Sequence, residues 1–146
     1  MPMHLKPVEH RTSHSFEETL ETVRKAVGKV GMSIFAEVDH AKAARENGLS
    51  MPETRVLVYG NPKAGTPVML DTPLAALDLP LRILVRELPG HNSAVAFHPI
   101  AEMFEELGVK REVAARFDAV QQTIIDEACG GCPTGTDDHK AASRHS

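Results

Sequence analysis

The chain has 146 residues, long enough for one domain with its own hydrophobic core. Hydrophobic residues at 42% and charged ones at 25% are ordinary for a globular protein, and a net charge of −4 with no basic cluster argues against nucleic-acid binding. No apolar run approaches the roughly 20 residues that span a bilayer and no signal-peptide core opens the sequence, so a cytoplasmic protein without a membrane partner is expected.

Met3, Leu5 and Val8 sit among polar residues before Thr12, and Pro7 removes a ladder donor, so a strand here belongs at a sheet edge. Ser15-Phe16-Glu17-Glu18 reads as a capping box, with the serine accepting from the third amide and Glu18 reaching back. Behind it Phe16, Leu20, Val23, Val27 and Val30 form one helical stripe, and Gly31 stops it. Met32, Ile34, Ala36 and Val38 alternate with Ser33, Phe35 and Glu37, the pattern of a strand with the first four on one face. Asp39 can cap a short helix, Ala41 to Asn47, closed by Gly48. Val56, Leu57, Val58 and Tyr59 are apolar on both faces, as in an interior strand.

Gly60 to Pro67 reads as a sharply turned connection. Asn61 folds back on the backbone, Gly65 is a candidate for left-handed φ, and Thr66-Pro67 starts a short helix. Leu81, Ile83 and Val85 alternate with Arg82 and Arg86 in another strand. Pro89 to Asn92 turns it into a hairpin whose second arm is Ser93 to Phe97. Pro99 opens a helix carrying Ile100, Met103, Phe104 and Leu107, ended by Gly108. Val113, Phe117, Val120, Ile124 and Ala128 then mark a last helix from Glu112. The expected division is a single α+β domain over 1–128, followed over 129–146 by Cys-Gly-Gly-Cys and a polar, solvated tail.

Three runs carry a resemblance. Ala36-Glu37-Val38-Asp39-His40-Ala41 is followed by Ala44, then by Arg55-Val56-Leu57-Val58-Tyr59-Gly60-Asn61-Pro62-Lys63-Ala64-Gly65-Thr66-Pro67, then by Ala76-Leu77-Asp78-Leu79-Pro80-Leu81-Arg82. In order and spacing they resemble the domain of unknown function 302 family, over about Ser15 to Ala101. The resemblance implies a TBP-like β-α-β4-α domain that forms homodimers, with the final helix as an extra element, and it implies no activity. His98 stands where that family more often has an Asn-Asp or similar polar pair.

Candidate chemistry is sparse. The 60–67 run holds two glycines, Lys63 and Thr66, yet Lys63 precedes the second glycine and Pro62 and Pro67 lack amides, so it is no phosphate-binding P-loop. Lys63 remains a cation that an anionic ligand group can meet. His40 follows the carboxylate of Asp39, an arrangement that orients an imidazole for ligation or proton transfer, though a first-turn position accounts for it as well. Cys129 and Cys132 have the spacing of a disulfide or half a metal site, but they follow a helix C-terminus, whose dipole favours thiol over thiolate. No nucleophile elbow, zincin motif or glycosidase carboxylate pair can be assembled, and nothing in the sequence requires an enzyme.

The fold expected is α+β: a curved antiparallel sheet with helices on one face. Phe35, Leu57, Tyr59 and Leu84 are expected to alternate with Val56 and Val58, so that both faces carry apolar groups. The uncovered face, with Leu57 in it, would form a dimer contact. The preferred function is a small dimeric ligand-binding domain with a pocket between the open sheet face and the 60–69 loop. Haem or another apolar, anionic cofactor is the candidate ligand. Its contacts would come from His40, Asn61, Lys63, Thr66, Met69 and His98: Met69 and the two histidines as candidate axial ligands, and Lys63 or Arg82 for carboxylates. The alternatives are thiol redox or metal handling through Cys129 and Cys132, and a structural dimer without ligand.

Overall fold

The computed structural model describes residues 6–129. Five strands, β1 (Val8–Thr12), β2 (Ser33–Asp39), β3 (Thr54–Gly60), β4 (Leu81–Leu88) and β5 (Asn92–Phe97), form one antiparallel sheet in the order β1-β5-β4-β3-β2. The helices are α1 (Phe16–Lys29), α2 (His40–Glu46), α3 (Pro62–Asp71), α4 (Ala101–Leu107) and α5 (Arg111–Ala128), with a 3-10 helix at Pro73–Asp78. The α+β, one-sheet architecture read from the sequence is the one observed. β1, with Pro7 just before it, lies at an edge, and β3 is interior.

The capping box forms as written. Glu18 N donates to Ser15 Oγ, and Ser15 N donates to the Glu18 carboxylate, which satisfies two otherwise orphaned amides. The stripe behind it buries Phe16, Leu20, Val23 and Val27 against Leu57, Tyr59, Ile83, Val85 and Val95 of the sheet and Phe117, Ile124 and Ile125 of α5. Each such side chain contributes roughly 1.5–3 kcal/mol by leaving water. Two buried hydroxyls tie α1 to β5. Ser93 Oγ donates to His14 O at 2.9 Å, so Thr19 Oγ1 must be the donor in its 2.7 Å bond to Ser93.

The sheet faces differ from the sequence reading in two ways. First, β2 does not alternate cleanly. Its register against β3 shifts between Ile34, opposite Tyr59, and Ala36, opposite Val58, leaving Phe35 as a bulge residue. Met32 and Ile34 therefore pack against the core, while Ala36 and Val38 lie on the opposite side. Second, Leu57 and Tyr59 are fully buried on the helix side, opposite Ile83 and Leu81. Leu57 is thus no part of the open face. That face carries Val56, Val58 and Leu84 instead, with Val56 opposite Leu84 and Val58 opposite Arg82.

Glu37 shares the helix side with Leu57 and anchors β2 to α1. Arg24 grips it with two 2.8 Å bonds, and Arg55 adds a third at 3.1 Å. Arg55 also pairs with Asp39 at 2.9 Å and lies over the Phe16 ring. The two guanidiniums, Arg24 foremost, hold the Glu37 carboxyl below its usual range.

Candidate functional site

The segment from Gly60 onward is a helix, not a loop. Pro62 occupies the first helical position, where its missing amide costs nothing, and the Asn61 side chain accepts from Lys63 N at 2.9 Å. Asn61 Nδ2 also donates to Gly31 O, which fastens the start of α3 to the turn after α1. Gly65 lies within α3 and is absent from the positions with positive φ, so the left-handed backbone expected there does not occur. Pro67 sits inside the same helix, and the glycine and prolines that suggest a loop are accommodated in its nearly three turns.

α3 roofs a cavity of about 230 Å³. Its walls are Met32, Phe35, Met69, Leu79, Pro80, Leu81 and Phe117, with Asn61 and Thr66 as the polar side chains. Since Met32 and Phe117 pack in or against the helix-side core, the cavity opens beside the covered face and not on the open sheet face. Gly60 is packed closely here: a Cβ would stand 3.4 Å from the Phe35 ring and 3.5 Å from Pro80. At Gly65 a Cβ would meet only Leu79 Cδ1 and Met69 Cε, both at 3.8 Å, so a larger side chain there would grow toward the cavity.

A second cavity, about 510 Å³, lies on the open face near β1. Val56, Leu84 and Ala96 form an apolar floor, and Lys6, Glu9, Asp78, Arg82 and His98 bring ionisable groups to its rim. One wall is locked from α5. Gln121 Nε2 donates to His98 O at 3.1 Å, while the Asp118 carboxylate accepts from Ile100 N and Ala101 N at the start of α4. This tertiary cap stands in for a local one, since α4 has no side-chain cap of its own.

The model of the family described as "Domain of unknown function DUF302" matches residues 8–127, which takes in every strand and reaches nearly to the end of α5. The chain belongs to the DUF302 family. A solved DUF302 structure, an uncharacterized conserved protein from Bacillus stearothermophilus, superposes with a TM-score of 0.76 at 18% identity, covering 88% of this chain and 99% of that one. Among curated proteins, the fluoride-specific ion channel FluC 1 of Brucella suis is 43% identical over 74 residues, 51% of this chain and 29% of the channel chain. FluC 1 of Brucella abortus and FluC 2 of Brucella melitensis match at the same identity over 27% of their lengths. This DUF302 chain thus spans less than a third of the curated relatives it matches. Among its described residues no helix is long and apolar enough to cross a membrane.

The six nominated ligand residues divide between places. Asn61, Thr66 and Met69 line the cavity under α3, and His98 lines the other cavity with Arg82. Lys63 lies exposed on α3 and lines neither. His40 is exposed at the first position of α2, whose cap is Asp39 with its side chain accepting from Lys42 N. That is the simple first-turn position. Cys129 is buried at the C-terminal cap of α5, while Cys132 lies outside the described residues. Among the described residues no group of three or more His, Cys, Asp or Glu could hold a metal ion. Phe35 and Phe117, which wall the first cavity, were not legible as site residues. Phe117 reads as one more member of a helical stripe, and the bulge that exposes Phe35 leaves no mark in the β2 pattern.

Proposed function

We propose that this DUF302 chain is a small ligand-binding domain that takes a compact, uncharged, largely apolar molecule in the cavity under α3. The observation that supports it most is the make-up of that cavity: aliphatic, thioether and aromatic walls with two polar side chains, Asn61 and Thr66, and no charged one. Anionic ligands have no counter-ion there. Haem draws little support from it. Of the candidate axial ligands only Met69 lines the cavity, and about 230 Å³ lies below the roughly 300–1,000 Å³ of most ligand sites.

The homodimer belongs to the same reading. Ala36, Val38 and Val58 form an apolar strip at the β2 side of the open face, and Val38 is among the exposed large hydrophobic residues. The channel relatives supply a context: the shared 74 residues are a minor part of chains named for fluoride conduction, and we take them as a non-spanning module of those proteins. Native mass spectrometry of protein taken straight from the producing cells tests ligand and dimer together. A dimer mass with a retained small neutral molecule supports the reading. Bare monomer that takes up no small aromatic probe removes it.

A further inference from the structure

The open-face cavity has a different chemistry from the one under α3, and its charges can be followed residue by residue. Glu9 and Arg86 neutralise each other through bonds of 2.8 and 3.1 Å. Arg82, on the same face of β4 but two positions away beyond Leu84, has no such partner: among the described residues neither Arg82 nor Lys6 forms an ion pair. Asp78, also on the rim, forms none either. The rim therefore holds two uncommitted cations and one uncommitted carboxylate, a net of one positive charge before His98 is counted. Beneath it lies a floor of Val56, Leu84 and Ala96.

We propose that this cavity binds an amphipathic monocarboxylate, with its carboxylate on Arg82 and Lys6 and its hydrocarbon body on the Val56–Leu84–Ala96 floor. A planar guanidinium matches a carboxylate with two parallel hydrogen bonds, which favours Arg82 as the principal contact. The single surplus charge suits a monoanion, and Asp78 disfavours a dianion at the same rim. About 510 Å³ lies within the range of small-molecule sites, and the Gln121 and Asp118 bonds hold the His98–Ile100 wall in place before any ligand arrives. The site is separate from the cavity under α3 and does not depend on it.

Octanoate is the probe, followed by amide chemical shifts of the full chain. Saturable shifts are expected at Val56, Leu84 and Ala96, with octanol binding at least about ten-fold more weakly because it lacks the charge-assisted pair, and octylammonium likewise because the rim's net positive charge repels it. Arg82→Gln should weaken octanoate by about ten-fold and Asp78→Asn should tighten it severalfold. Opposite signs from two rim residues are not produced by a general loosening of the fold, and Asp78→Asn keeps the test decisive should Arg82→Gln fail to fold. Equal binding of octanol, an unchanged affinity in Arg82→Gln, weaker binding in Asp78→Asn, or shifts centred on Ala64 to Met69 would each overturn the proposal. None of these results bears on whether a neutral molecule occupies the cavity under α3, except the last, which would favour that cavity for both.

Discussion

Tyr59→Phe offers the sharpest test of how the sheet is packed. Tyr59 is the only tyrosine in the chain and is fully buried, and its hydroxyl has no hydrogen-bond partner among the described residues. Burial alone pushes its phenol well above the ordinary value. An unpaired buried hydroxyl costs about 1–3 kcal/mol of desolvation, which phenylalanine avoids while filling nearly the same volume between Ile34 and Leu81. The substitution should therefore raise stability by about 1–3 kcal/mol, or roughly 3–12 °C in Tm for a chain of this size. Urea unfolding and calorimetry would measure it. Phenolate absorbance in the wild type should stay silent through its usual range near pH 10 and emerge only as the protein opens. A loss of more than about 1 kcal/mol in Tyr59→Phe would show that the hydroxyl is hydrogen-bonded, and would refute this account of the Tyr59 environment.

Glu37 has a folded pKa lowered below its unfolded one, so the stability it contributes is present above the unfolded value and is lost as pH falls through the folded value. Glu37→Gln should accordingly be less stable than wild type at neutral pH, with the gap closing below about pH 4.5 in denaturant titrations; a gap independent of pH would contradict the network. Gly65→Ala should stabilise by about 0.5–1 kcal/mol, because a mid-helix glycine without positive φ gains helix propensity and the new methyl meets its neighbours at 3.8 Å. A destabilised Gly65→Ala would mean that the helix needs glycine there. Leu57→Glu should abolish folding, since it places a charge in the helix-side core, whereas Val58→Glu should leave the circular dichroism native and convert a dimer into monomers in sedimentation. If Val58→Glu sediments as the wild type does, the strip formed by Ala36, Val38 and Val58 is not the contact.

Local signals in this sequence carried most of the fold. Ser15 and Glu18 announce α1, Pro7 sends β1 to an edge, and Gly108, at φ 110°, ends α4 where the pattern says it should. The departures have physical causes at particular residues. At Phe35 a one-residue bulge reverses the facing of everything after it, and a period-2 pattern is silent about where a strand slips. At Leu57 and Val58 both faces are apolar, so composition cannot say which one meets the helices. From Asn61 to Pro67 the turn-forming residues are a helix start: asparagine as cap and proline in the first turn use the same chemistry as a loop. The sites were less legible. Asn61, Thr66 and Met69 share a cavity because α3 is helical, whereas Phe117 and Gln121 reach their cavities only through the docking of α5, a contact between segments far apart in sequence.

The claim that the cavity under α3 is a ligand site is tested most directly by titrating the amide spectrum with benzyl alcohol, a compact neutral molecule with one hydroxyl for Asn61 or Thr66. Saturable shifts are predicted at Gly60, Ala64, Gly65, Met69 and Leu81, and they should vanish in Gly65→Leu, whose side chain would occupy the space while the rest of the spectrum stays native. Shifts that fail to saturate, that gather instead around Val56 and Leu84, or that persist unchanged in a folded Gly65→Leu would contradict it.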